Sequence, residues 1–256
     1  MSGREKSVCQ GMGGIIFLAF LLATWWTGFN PVEVIAQLGE AWTFLSEDFW
    51  PPDANYSETA LESVVVTAAL ALSSASVGAV LAAVAAVFGS ESTSPSKALT
   101  VGIRGFATFL RNIPTLVWAF ILFSSLGVGT GVGFTALLIT SFAFMTRTFI
   151  EVIDEIPKDT LESLAAVGAT FWQRVFQCVL PSCVSGFISW YLYCLEVNIR
   201  ASTIVGMVGG GGIGMVLLSY LKEFRYHEAA GIILIIAVLV ILVDRFTDFL
   251  RRKAAE

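Results

Sequence analysis

The chain has 256 residues, of which 56% are hydrophobic and 14% charged. With a mean hydropathy of +0.78, it reads as an integral membrane protein and not as a soluble domain. The formal net charge of -5 supplies no basic face and excludes nucleic acid as a partner.

The four cysteines, Cys9, Cys178, Cys183 and Cys194, show neither a disulfide framework nor the paired spacing of a zinc site. They read as small core residues.

Arg4 and Lys6 precede an apolar run from roughly Met12 to Phe29. That run is about 18 residues, just long enough to span, and Trp25-Trp26 suits an interfacial belt. Leu22 to Trp26 offers no small-x-small cleavage site, so an uncleaved first helix is expected and not a signal peptide. Asn30 to Glu58 carries six acidic residues and no Lys or Arg, which places it outside. Within it, Val32 to Phe44 reads as an amphipathic helix at the interface. Thr59 to Phe88, the second span, is crowded with Ala, Ser and Gly and is expected to be buried in a bundle.

Gly89 to Ala98, with Lys97, is a cytosolic turn. The third span, Gly105 to Leu126, contains Arg111-Asn112-Ile113-Pro114, and Gly127 to Gly133 is an uncharged external turn. Phe134 to Ile150 is the fourth span and delivers Arg147 to the inner face.

The stretch from Pro157 to Pro181 is a polar island read as two short amphipathic helices. Asp159 and Glu162 form a capping-box-like start. Leu161, Leu164, Ala165 and Gly168 make one apolar stripe, and Gly168 closes the helix. Phe171, Val175 and Cys178 make a second stripe, and Pro181 marks the next boundary. By periodicity alone this is a cytosolic loop on the membrane surface.

The fifth span runs from about Ser182 to Val205. Gly206, Gly209, Gly210, Gly211, Gly212 and Gly214 follow, then a short external or re-entrant helix from Leu217 to Tyr226. A sixth span, about Glu228 to Phe249, is anchored inside by Arg245, Arg251, Arg252 and Lys253. The expectation is one membrane domain over residues 1–256, all-α, with about six spans and both termini cytosolic.

The glycine run is not a phosphate loop, because Gly-Lys-Ser/Thr is missing at its end. Tight helix crossing with a flexible turn is one role for it; a moving gate is the other. Glu196, Asn198 and Arg200 lie inside the fifth span, where ionisable groups are costly unless paired or facing a cavity. Glu196 and Arg200 are one turn apart and can pair as a structural bridge. Alternatively, Arg200 offers a bidentate fork to an oxyanion in a path that also takes in Glu196, Asn198 and Ser202. Arg111 and Asn112, ahead of a helix-kinking Pro114, either line the same path or anchor at the lipid headgroups. His227 beside Glu228 reads as a capping or solvated residue, and Asp244 and Asp248 as surface ion pairs. No nucleophile, base and orienting group converge, so an enzyme reading has no support.

Glu162-Ser163-Leu164, Gly168 six residues after the Glu, and Leu180-Pro181 resemble the EAA loop of ABC-importer permeases. Ser163 replaces the usual Ala, and Cys178 the usual Ile. Arg111 to Ala119 and Leu195 to Gly214 resemble the permease subunit of phosphonate importers. With the loop, the resemblance runs from about Ala98 to the C-terminus, roughly three fifths of the chain.

This resemblance implies the type I importer permease fold. The loop, about 151–181, would dock into an ATP-hydrolysing subunit through Leu161, Glu162, Ser163, Leu164, Ala165, Gly168, Phe171, Leu180 and Pro181. It implies a homodimer in the inner membrane, two cytosolic ATPase subunits that bind ATP and Mg, and an extracytoplasmic binding protein that largely selects the substrate. No cofactor is expected on this chain. The implied cargo is a phosphonate or related oxyanion. The alternatives are methionine or another small solute on the same fold, or a secondary carrier, for which the glycine-rich break has no second partner.

Overall fold

Inside a bilayer the backbone has no water to bond, so a spanning segment must satisfy its own polar groups. Among the described residues every regular element is helical. The computed structural model describes residues 3–53 and 58–255, with side chains from Met12 onward except those of 158, 254 and 255. Residues 54–57, the end of the acidic segment, and the side chain of Cys9 therefore lie outside the described residues.

The chain forms two compact units, Met1–Pro51 and Pro52–Glu256. In the first, α1 (Gly3–Thr27) and α2 (Pro31–Glu47) meet at 73°. Asn30 starts α2 by accepting the Val32 N–H at 3.1 Å, with Pro31 in the first turn. The expected amphipathic helix is present and longer at both ends.

The second unit contains α3 (Glu58–Gly89), α4 (Lys97–Arg111), α5 (Thr115–Leu126), α6 (Thr130–Asp154), α7 (Lys158–Ala166), α8 (Phe171–Gly210), α9 (Ile213–Lys222) and α10 (Tyr226–Ala255). The small residues of α3 let it lie close against α6 and α8. Ala71, Ala75, Ala82 and Ala86 are fully buried there, as expected for a helix inside a bundle. Met145, Phe149 and Ile153 of α6 join Val175, Val179 and Cys183 of α8 in the largest apolar core. Cys178, Cys183 and Cys194 are buried and unpaired, consistent with core packing.

Four helices, α3, α6, α8 and α10, are each long and apolar enough to cross a membrane. Counting the bent pairs α1–α2 and α4–α5 as one span each brings the number to six.

The kink expected at Pro114 is a full break, and the third span is two helices, α4 and α5, that meet at 85°. Pro114 lacks an N–H and sits at φ −57°, ψ 144°, outside the helical region, which ends α4 at Arg111. Pro181, by contrast, ends nothing. α8 runs through it for 40 residues because Val175–Val179 form a π-helical turn, in which Leu180 N–H reaches back to the Val175 carbonyl. The second amphipathic helix is thus the base of the fifth span. Lastly, the helix expected from Leu217 to Tyr226 is α9, begun four residues earlier at Ile213 and stopped at Lys222.

Candidate coupling surface and translocation cavity

α7 and α8 are separated by four residues, and local chemistry dictates the turn. Gly168 has φ +85°. Its N–H reaches the Ala165 carbonyl at 3.0 Å, and the Ala169 N–H reaches that of Leu164 at 3.1 Å. This is a Schellman closure, which needs a left-handed residue at that position. Thr170 and Gln173 then form a reciprocal capping box at the start of α8. The box expected at Asp159 and Glu162 is absent. α7 begins after Pro157, which has no side chain able to accept an N–H, and so carries no side-chain cap.

Leu161, 6% exposed, anchors α7 on Val175 and Cys178, with half-buried Leu164 and Phe171 packed on the same core. Glu162, Ser163 and Ala165 are left exposed on the outer face, as is Pro181 at the edge, while Leu180 is half-buried. Glu162 and Ala165 border a groove of about 220 Å³ with Glu91, Ser92 and Arg174.

The far wall of that groove is held by a polar knot. Asp154 pairs with Arg104, accepts Ser90 Oγ–H at 2.6 Å and accepts the Glu91 N–H at 3.0 Å. Arg104 also donates to the Gly89 carbonyl at 2.9 Å. The C-terminal ends of α3 and α6 and the middle of α4 are tied together in this way. Sequence reading missed it, because the partners lie 50 or more residues apart and Arg104 resembles any inner-face cation.

A cavity of about 290 Å³ opens at the α4–α5 break. Arg111, Ile113, Pro114 and Thr115 line one side; Thr140, Ser141 and Phe144 of α6 and Tyr193, Cys194, Val197, Asn198 and Ala201 of α8 line the rest. Asn198, 3% exposed, donates through Nδ2 to Ser141 Oγ at 2.7 Å and Ser74 Oγ at 3.2 Å, joining three helices. Such bonds hold helices together where lipid offers no hydrophobic drive for association. One turn toward Gly127, the residues Ala119, Val132, Ala136 and Val205 form an apolar cluster. In the other direction, Arg111, Phe144 and Tyr193 also border a second cavity of about 670 Å³ with Thr148, Glu151 and Arg251.

Of the six residues expected along a path, the structure brings only Arg111 and Asn198 into the first cavity. Asn112 folds back to donate to the Thr108 carbonyl at 2.8 Å. Ser202 is buried without lining the cavity. Glu196 and Arg200 pair with each other and face α10, where Arg251 lies 3.6 Å from Glu196 and Asp244 lies 4.0 Å from Arg200. Asp248 in turn pairs with Arg251 at 3.4 Å. Thr140, Ser141 and Tyr193 escaped notice, although Tyr193, Val197 and Ala201 share a helical face with Asn198.

The glycine run packs tightly. A Cβ on Gly133 would stand 2.3 Å from the Gly210 carbonyl oxygen, and one on Gly214 1.9 Å from that of Thr203. Gly209 accepts the Gly129 N–H at 2.8 Å, and Thr67 Oγ1 accepts the Ile213 N–H at 2.8 Å. Tight helix crossing accounts for this geometry.

The sequence pattern of the family described as "Binding-protein-dependent transport system inner membrane component" matches residues 76–256. The phosphite transport system permease protein PtxC of Stutzerimonas stutzeri is 31% identical over 242 residues, covering 94% of this chain and 88% of that protein. The phosphate-import permease protein PhnE of Mycolicibacterium smegmatis is 26% identical over 98% of this chain, which spans about half (47%) of its length. Among solved structures, the inward-facing MetNI methionine ABC transporter superposes with a TM-score of 0.68 at 21% identity, over 78% of this chain and 99% of that one. A bacterial ABC transporter that imports alginate superposes with a TM-score of 0.64 at 15% identity, over 100% of both chains. At those identities the two structures speak for the fold alone.

Proposed function

The chain belongs to the family of binding-protein-dependent transport system inner membrane components, and from that premise we propose how it works. It is the membrane-spanning permease of an ABC importer, acting over residues 1–256 as one domain. It is not itself an enzyme. Two copies enclose the path, two cytosolic subunits hydrolyse ATP with Mg, and an extracytoplasmic binding protein delivers the cargo. Both termini face the cytosol.

The observation that carries this reading is the α7–α8 corner. It is a short helix with an exposed Glu162–Ala165 face, clamped to the long α8 by Leu161 and turned by Gly168. A push on α7 is passed directly to α8, and α8 lines the cavity through Asn198. Leu164, Phe171, Leu180 and Pro181 frame the corner, and Gly209 and Gly210 end the same helix in a tightly packed glycine turn that leads into α9.

The relatives point to a phosphite, phosphonate or phosphate cargo. A methionine permease of Pasteurella multocida is also 31% identical, over 53% of this chain, so methionine is the second reading. Co-expression with the adjacent reading frames tests both. A binding protein loaded with methylphosphonate or phosphite should stimulate ATP hydrolysis by the assembly and drive uptake. Stimulation by methionine alone would move the cargo assignment to the second reading, and uptake independent of ATP would overturn the importer reading.

A further inference from the structure

Among the arginines of the second unit for which the described residues show no ion pair, Arg111 is the one that stands at the α4–α5 break. Arg104, Arg147, Arg200, Arg225 and Arg251 each have a carboxylate partner. Arg111 has none among the described residues, and it borders both cavities. Arg111 ends α4 at the break between α4 and α5, the bent pair whose two helices together count as one span. A guanidinium within a span needs water or an anion.

The cavity around it is built to suit an anion. Its lining includes one cation, Arg111, and no carboxylate. Thr115, Thr140, Ser141 and Tyr193 add hydroxyls. Pro114 and Thr115 are the start of α5, so the positive end of that helix dipole lies at the cavity wall. The volume of about 290 Å³ is at the lower limit of small-molecule pockets, about 300 Å³, which suits a small ion better than a sugar. A zwitterionic amino acid would bring an ammonium group with no carboxylate to meet it.

We propose that this cavity is a binding site for a small phosphorus oxyanion within the permease itself, with Arg111 as its anchoring cation and Tyr193 as a hydroxyl donor. The site rests on the importer reading and deepens it, because selection is then shared between the binding protein and the membrane domain. A planar guanidinium holds two oxyanion oxygens at once, which a lysine cannot do.

The test uses the permease–ATPase assembly in lipid nanodiscs, with the binding protein omitted and methylphosphonate as the probe. Equilibrium dialysis should show saturable binding that methionine does not displace. Arg111→Gln should weaken it about ten- to hundredfold, the loss of a charge-assisted hydrogen bond. Arg111→Lys should fall between, Tyr193→Phe should weaken it severalfold, and Arg200→Gln should bind as the parent does. If Arg111→Gln fails to assemble, Arg111→Lys and Tyr193→Phe carry the comparison. Absence of binding by the parent, or parental affinity in the Arg111 variants, overturns the site. The importer reading is judged separately, by stimulation of ATP hydrolysis in the parent assembly when the loaded binding protein is added back.

Discussion

At the scale of single residues, Arg200 is paired between two helices while Arg111 borders a cavity without a carboxylate partner among the described residues. Glu196, with its side chain 16% exposed, is shared by Arg200 and Arg251. Removing it leaves Arg200 with only the 4.0 Å contact to Asp244 and Arg251 with only Asp248, whereas removing Arg200 leaves Glu196 with Arg251. Glu196→Gln should therefore destabilise the protein more, by about 1–3 kcal/mol after allowance for partial exposure, and Arg200→Gln by less. Uptake per folded transporter should stay near the parental value in Arg200→Gln and in the double variant Glu196→Gln/Arg200→Gln. Thermal unfolding in detergent and uptake normalised to folded protein measure the two effects. A collapse of normalised uptake in the double variant would return Arg200 to the path.

At the scale of elements, the α7–α8 corner shows how one backbone angle can set a working geometry. A Cβ at Gly168 would meet nothing within 4 Å, so only its φ of +85° opposes a side chain. Gly168→Ala should cost about 1 kcal/mol locally and lower stimulated ATP hydrolysis in the assembled importer without unfolding the bundle. Gly168→Asn should retain more, because Asn tolerates the left-handed region, and Gly168→Val should retain least. Equal activity in all three variants would mean that the corner does not transmit motion. The α4–α5 break makes the companion point. Pro114 turns what composition reads as one span into two helices, and the cavity opens at that bend.

At the scale of the whole molecule, α8 has 40 residues and rises about 60 Å, twice the hydrocarbon thickness of about 30 Å. That excess is long enough for its base, with α7, to stand clear of the bilayer, as the proposed topology requires. In a background without cysteines, Glu162→Cys should label only from the cytosol and Val128→Cys only from outside. Labelling of both from one side would overturn the six-span topology.

The sequence by itself determined that the chain is helical and membrane-embedded, that α3 is a buried helix of small residues, that Gly168 is a turn and that Glu196 and Arg200 share a helix face. These follow from composition and from periods of a few residues, which act locally. Tertiary structure decided the rest. Whether Arg200 looks into a cavity or toward α10 depends on how α8 is rotated against its neighbours, and in a lipid setting that rotation is set by close packing and interhelical hydrogen bonds. Asn198 bonding Ser74 and Ser141, and Asp154 holding Arg104 and Ser90, join residues far apart in the chain. Even the opposite outcomes at Pro114 and Pro181 depend on context, since a π-helical turn absorbs the missing N–H in α8 while no such turn precedes Pro114. No local pattern holds that information, because each contact exists only once the helices have met.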